Sequence, residues 1–346
     1  MELPREQIDV TIVVCTCDRA AMLPPAIESL LRQQTQGRFS YEILVVDDGS
    51  VDDTARVVAE LAAGNAGAPL RYLYKRAGGV AEARNFGAHH ARGERIAYFD
   101  DDQLAEPNWL LELMTVALRE RAACVGGSRD LLLPKSPILA LGPKARAVLG
   151  EHELGEITTY DSSKELPNTG NVLITKQLFE RLKGFNGLLR DSGEDTDFFQ
   201  RVRHSGTALW YASRARVHHV IPRSRVTPQF LRWYSVRIGV AAARLQCKSG
   251  RLPATLLTAL QRLMVSGLRD LPLHLLSWLT RNQALEMDCL CTTGYTVGYL
   301  RGCLHFLWPH LFNQQQFMKY VDFRSHGGER SAADARPSAN GQGAAF

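Results

Sequence analysis

Short apolar runs alternate with amphipathic stretches along the first half of the chain. Residues 10–14 form a β-branched run, and 43–46, 70–74, 96–99 and 122–125 are further runs of strand length. Between them, residues 23–34 carry Ile27, Leu30 and Leu31 at helical spacing, 80–91 reads as a helix, and Pro107 is placed to open one over 107–119. A further helix after the second strand has Ser50 or Asp52 as its expected cap. This βαβα rhythm predicts a doubly wound sheet with helices on both faces. From Ser128 to Leu166 the rhythm fails among Pro134, Pro137 and Pro143, which predicts a long loop reaching over a site. Regularity returns as a strand at 171–174, a helix at 177–182, a helix at 194–204 stopped by Gly206, and two short strands at 208–211 and 215–219.

Beyond residue 229 the pattern turns helical, basic and apolar. Residues 252–279 include Arg262, Arg269 and Asp270 and are too charged for a simple membrane span. Residues 289–312 hold one charge, Arg301, but also three glycines and Pro309, so an interfacial or self-packed helix pair is expected there instead of a span. The expected division is therefore a catalytic domain over 1–228, a helical, membrane-associating region over 229–323, and a disordered polar tail over 324–346.

Two apolar runs stop abruptly at carboxylates: Asp47 and Asp48 follow 43–46, and Asp100, Asp101 and Asp102 follow 96–99. Buried parallel strands deliver such groups to the carboxyl edge of the sheet, where ligands of open α/β folds sit. A carboxylate at Asp48 can accept from a base imide or a ribose hydroxyl, or it can simply fix an Asp-Gly turn. Three adjacent acids need counter-charge, and nothing nearby in sequence supplies it. Mg²⁺ or Mn²⁺ bound with a phosphate group would do so; a solvated acidic loop is the other reading. Lys75, Arg76 and Arg84 are candidate phosphate contacts or plain surface charge, and Asn85 can fix a loop through its amide.

Asp195 falls in the first turn of the 194–204 helix, three residues after Ser192, and shares a stripe with Phe198, Phe199 and Val202. A carboxylate aimed from such a stripe into a partly dry pocket is a candidate general base, with Glu194 beside it. His218 and His219 alternate in direction along their strand, so one of them at most is a metal ligand.

Composition narrows the partners. The 346 residues carry 41 basic and 36 acidic side chains, a net +5 that is too mild and too scattered for nucleic acid and suits a phosphate-rich substrate or an anionic membrane surface. Seven cysteines without a CxxC pair point to a reducing, cytoplasmic setting. The short polar N-terminus carries no signal-peptide pattern.

In this order, Thr16 to Arg19 after the first strand, DDGSxDxT from Asp47, Gly79…Ala83-Arg84-Asn85…Gly87, YFDDD, and Gly184-Phe185…Gly193-Glu194-Asp195-Thr196-Asp197 resemble the family 2 glycosyltransferases of the GT-A fold, from about residue 10 to 239. The resemblance implies a GT-A-type doubly wound, mostly parallel sheet and inverting transfer of a sugar from a nucleotide-diphospho-sugar to a hydroxyl of a glycan or lipid-linked acceptor. It implies donor contacts from Thr16, Asp18, Arg19, Asp47, Asp48, Lys75, Arg84, Asn85, Asp100 and Asp101. Asp102, Asp100 and His219 would hold Mg²⁺ or Mn²⁺, with His218 as the fallback. Asp195 would be the base. The first loop reads Cys15-Thr16-Cys17-Asp18-Arg19 where relatives often show Pro and an aromatic. Gln229, Arg232 and Trp233 form the QxxRW pattern of processive polysaccharide synthases, which is also compatible with an amphipathic basic helix. Without the flanking membrane spans of those enzymes, single-sugar transfer is expected. Arg223 and Arg225 are candidate contacts for a phosphate-bearing acceptor. Such an enzyme would serve polysaccharide biosynthesis for the cell envelope, held peripherally at the inner face of the cell membrane. Two competing expectations are a nucleotidyltransferase on a sugar phosphate, with no need of Asp195, and a catalytically silent sugar-binding subunit.

Overall fold

The computed structural model describes residues 8–313 and 317, apart from 66, 136–138, 157, 161–164, 190–192 and 249–251. The first units are β1 (Val10–Thr16), α1 (Leu23–Leu31), β2 (Tyr41–Asp47), α2 (Thr54–Ala63), β3 (Leu70–Tyr74), α3 (Val80–His90) and β4 (Arg95–Asp100). A short β5 (Gln103–Ala105) leads into α4 (Trp109–Arg119) and β6 (Cys124–Leu132). Then follow α5 (Pro143–Val148), β7 (Asn171–Thr175), α6 (Lys176–Arg181), α7 (Glu194–His204) and β8 (Trp210–Val220).

The strands form one eight-stranded sheet in the order β3-β2-β1-β4-β7-β6-β8-β5. β1, β2, β3 and β4 run parallel, as do β6 and β8, while β7 lies antiparallel to both β4 and β6, and β5 to β8. The sheet is mixed. Strict alternation splits each central strand between two cores. Val10, Ile12 and Val14 face α1, α2 and α4, whereas Val13 faces the layer containing α3, α6 and α7. Both faces of β1 and β2 are therefore dry, which explains their uninterrupted apolar sequence.

Three sequence expectations change. The segment after Ser128 is not loop at its start: β6 runs through to Leu132 and pairs with β8. The two strands expected at 208–211 and 215–219 are one strand, β8, interrupted by a register shift opposite Gly127 and Ser128. Pro107 precedes its helix: Asn108 is the N-cap residue, and the Pro107 carbonyl accepts from the Gln34 amide at 2.8 Å.

Four helices follow among the described residues: α8 (Pro228–Lys248), α9 (Leu252–Val265), α10 (Leu271–Thr280) and α11 (Gln283–Leu307), with a π-helical turn at Ser266–Asp270 between α9 and α10. α8 lies along α11 with their backbones nearly touching. A Cβ on Gly298 would meet the Val236 carbonyl oxygen at 2.0 Å, and one on Gly239 would meet the Tyr295 carbonyl at 2.2 Å. The glycines that spoil 289–312 as a span thus serve a close helix–helix contact. Ala145 and Leu149 pack with Leu231, Trp233 and Met287, tying α8 and α11 to the α/β layer. Among the described residues, no helix is long and apolar enough to cross a membrane. The tail expected to be disordered, 324–346, lies outside the described residues.

Candidate active site

β1, β2 and β4 end side by side, with Thr16 in register with Asp47 and Cys15 with Asp100. Their carboxyl edge opens into a cleft of about 1880 Å³. Thr16, Asp18, Arg19, Asp48, Arg84, Asp100, Asp101 and Asp102 line it from the sheet side. Glu194 and Asp195 at the start of α7, His219 near the end of β8, and Gln229, Arg232 and Trp233 on the first turns of α8 line it from the other.

The three consecutive acids are neutralised from far away in sequence. Asp101 is buried and accepts from the Thr16 hydroxyl and from Arg19, each at 2.7 Å. Burial, only partly offset by Arg19, pushes its pKa up to about 6. Asp102 is also buried and faces Arg19 at 3.1 Å, Arg225 at 3.4 Å and His219 at 3.5 Å. Burial pushes its carboxyl up, yet His219, Arg19 and Arg225 together outweigh burial and hold it well below the usual carboxylate range. Asp100 is more open and meets Arg84 at 3.4 Å and Arg129 at 4.0 Å. The sequence argument from missing counter-charge is corrected accordingly: arginines on four separate segments supply it.

Among the described residues, no three acids, histidines or cysteines stand ready as a metal cage. The donor chemistry nevertheless fits a hard cation. The Leu149 carbonyl takes a hydrogen bond from His219 Nδ1 at 3.0 Å, so a neutral ring presents the Nε2 lone pair to Asp102 Oδ1. Two acceptors facing each other at 3.5 Å call either for a proton on the ring or for a cation between them. His218 points elsewhere, to Glu106 at 2.8 Å, and is not available as the fallback ligand.

The two acids at the head of α7 differ in kind. Gly193, with φ at +91°, turns the chain into the helix, where a side chain would be strained. Ser192, three residues before Asp195, lies outside the described residues. Glu194, not Asp195, is the buried member of the Phe198, Phe199 and Val202 stripe. Its Oε1 accepts from Arg84 at 2.6 Å, which removes it as a free base. Burial and the neighbouring Asp195 raise its pKa against the pull of Arg84. Asp195 is half-buried, lines the cleft, and accepts only through Oδ1 among the described residues, from the Thr196 amide at 2.6 Å and hydroxyl at 3.3 Å.

Three expected donor contacts do not line the cleft. Asp47 is buried and accepts from the Tyr72 hydroxyl and the Ser50 amide, both at 2.6 Å. Lys75 reaches Asp48 at 2.6 Å. Asn85 clamps the backbone of Phe185, donating to its carbonyl at 2.9 Å and accepting from its amide at 2.8 Å. Asp48 itself accepts from the amides of Gly78 and Gly79 at 2.9 and 2.8 Å, and so shapes the loop before α3 as well as facing the cleft. The helix after β2 is headed by Asp53, although the Asp52 carboxylate does accept from the Thr54 amide at 3.1 Å. Arg129 escaped the sequence reading because it lies in the stretch taken for loop. Its guanidinium lines the cleft, and its Nε donates to the Gly150 carbonyl.

Residues 11–144 match the family described as Glycosyl transferase family 2. The chain is 26% identical over 244 residues to the succinoglycan biosynthesis protein ExoM of Rhizobium meliloti, covering 70% of this chain and 77% of that protein. It is 24% identical over 253 residues to the glucosyl-dolichyl phosphate glucuronosyltransferase of Haloferax volcanii, covering 66% and 76%. Among solved structures it is similar to TarS of S. aureus, with a TM-score of 0.48 and 18% identity over 67% of this chain and 40% of that one.

Proposed function

We propose that the chain acts as a family 2 glycosyltransferase, performing inverting transfer of a sugar from a nucleotide-diphospho-sugar to a hydroxyl of a glycan or lipid-linked acceptor. The observation that carries this reading is the meeting of two groups in one cleft: the Asp100, Asp101 and Asp102 cluster with its arginines, and the half-buried Asp195.

In this reading the donor nucleoside sits over the first loop, with Thr16, Asp18 and Asp48 as its hydrogen-bond partners. The diphosphate lies toward Asp100, Arg84 and Arg129. Mg²⁺ or Mn²⁺ held by Asp102, Asp100 and His219 would offset the charge of the departing diphosphate. Arg19 keeps Asp101 and Asp102 in place. Asp195 takes the acceptor proton through Oδ2 as the acceptor oxygen attacks the anomeric carbon. The new C–O bond forms on the face opposite the breaking bond to phosphate, and the proton ends on Asp195. Arg223, Arg225 and Arg232 give the acceptor side of the cleft a basic wall suited to a phosphate-bearing acceptor. Nucleotidyl transfer, in contrast, would leave Asp195 without a task. The helices from α8 onward form a region making peripheral contact with the inner face of the cell membrane, in keeping with a role in envelope polysaccharide synthesis.

Incubation with a panel of nucleotide-diphospho-sugars, with and without Mn²⁺, tests the reading. Release of nucleoside diphosphate from one donor, stimulated by Mn²⁺ and giving a product of inverted anomeric configuration, is expected. A product of retained configuration would overturn the direct displacement.

A further inference from the structure

α9 and α10 are built inside out. Their buried side chains are small or polar: Thr255, Ala259 and Ser277, joined by Asp270 in the turn between them. Their large apolar side chains point to solvent, among them Leu263, Leu268, Leu271, Leu275, Trp278 and Leu279, each between 55% and 77% exposed. A water-facing helix shows the reverse order, and a continuous apolar face of this kind marks a contact surface.

The charges on the same surface identify what covers it. Between residues 252 and 281 the one carboxylate is Asp270, which is buried and paired with Arg269 at 2.9 Å. Arg269 and Arg281 are exposed, and Arg262 stacks over Tyr295 at 4.4 Å. A second copy of the chain would bring like charges together across a twofold interface, whereas an anionic lipid surface meets both the arginines and the leucines. α9, the π-helical turn and α10 follow one another without a break, but Arg262, Arg269 and Asp270 interrupt the run, and no helix among the described residues is long and apolar enough to cross a membrane. A tryptophan on the apolar face suits the depth of the lipid headgroups.

We propose that the outer face of α9 and α10 docks the protein in the plane of an anionic bilayer, leucines inserted and Arg269 and Arg281 at the headgroups. This deepens the peripheral-contact reading given above and rests on it.

The test is co-sedimentation of the full chain with vesicles of phosphatidylcholine alone and of phosphatidylcholine mixed with phosphatidylglycerol. Binding to the mixed vesicles is expected, with much weaker binding to the neutral ones and a blue shift of tryptophan emission that Trp278→Phe removes. Leu263→Gln, Leu268→Gln and Leu275→Gln combined are expected to weaken partitioning on the order of a hundredfold, with circular dichroism and melting unchanged because all three side chains are exposed. If the triple variant binds like the wild type, this face is the wrong one while peripheral contact stands. Equal binding to both vesicle types overturns the headgroup assignment. A wild type that ignores vesicles and is a dimer, with a monomeric triple variant, makes the partner a second copy and removes the membrane reading as well.

Discussion

The cleft and the α9–α10 face break the ordinary rule of burial in opposite directions. At the cleft, Asp101, Asp102, Arg84 and Glu194 are buried charges. Along α9 and α10, Leu268 and Trp278 are exposed apolar groups. Each departure costs stability in isolation, so each needs a partner. The difference lies in where that partner is. For the cleft it is within the chain, as arginines brought in from distant segments, and the site is preorganised. For the helices we place it outside the chain.

The sharpest way to break the comparison is at the one cleft acid with little internal support. Asp195→Asn is expected to lower kcat by about a thousandfold while donor affinity changes little, since it removes the proposed base and leaves the arginine cluster intact. Titration of donor binding beside single-turnover rates separates the two; retained turnover would remove Asp195 from the chemistry. Next in size, Arg84→Gln strips a buried guanidinium from both Glu194 and Asp100. Denaturant unfolding should show a loss of about 3 kcal/mol, partly restored by adding Glu194→Gln. A loss below about 0.5 kcal/mol, the level of an exposed pair, would mean that the cleft charges are not internally supported.

On the helical side, Gly298→Ala drives a methyl into the Val236 carbonyl and is expected to cost about 2 kcal/mol. Val297→Ala, at an exposed neighbour, should be close to neutral. Equal effects would show that α8 and α11 are not in close register. The smallest effect at neutral pH comes from protonation. Burial, helped by Arg129, lowers the pKa of His152 from 6.5 to about 4; Tyr160 faces its Nε2 at 3.1 Å, and Tyr211 packs edge-on. The unfolded chain binds this proton first, so His152 supports the fold fully above pH 6.5 and loses that support as pH falls toward 4. By linkage the loss reaches at most about 3 kcal/mol, only at the acid end of that window, and vanishes at neutral pH. His152→Phe should flatten the melting temperature over that window, and an unchanged acid slope would refute the assignment.

The alternating core strands were legible because both their faces are dry and their apolar runs end at charged residues. Asp195, Asp102 and His219 were legible as polar groups at strand ends and a helix start, and the fold brings them to one cleft. Counter-charge was not. Arg19, Arg84, Arg129 and Arg225 are brought together by strand order, and strand order is a property of the whole sheet. The same limit hid the engagement of Asn85 with Phe185 and of Glu194 with Arg84, 100 and 110 residues apart. The antiparallel β7 and the length of β6 were missed because proline-rich sequence after Leu132 masked a strand that had already formed.

Arg84 is tied at one end to Asp100, beside the place proposed for the diphosphate, and at the other to Glu194, next to Asp195. A first substrate that pulls on Asp100 therefore tugs the residue adjoining the proposed proton acceptor before any hydroxyl arrives. Binding should follow a compulsory sequence, nucleotide sugar ahead of acceptor. Product-inhibition patterns would reveal that order, and a random-order pattern would show that the two ends of the guanidinium do not communicate.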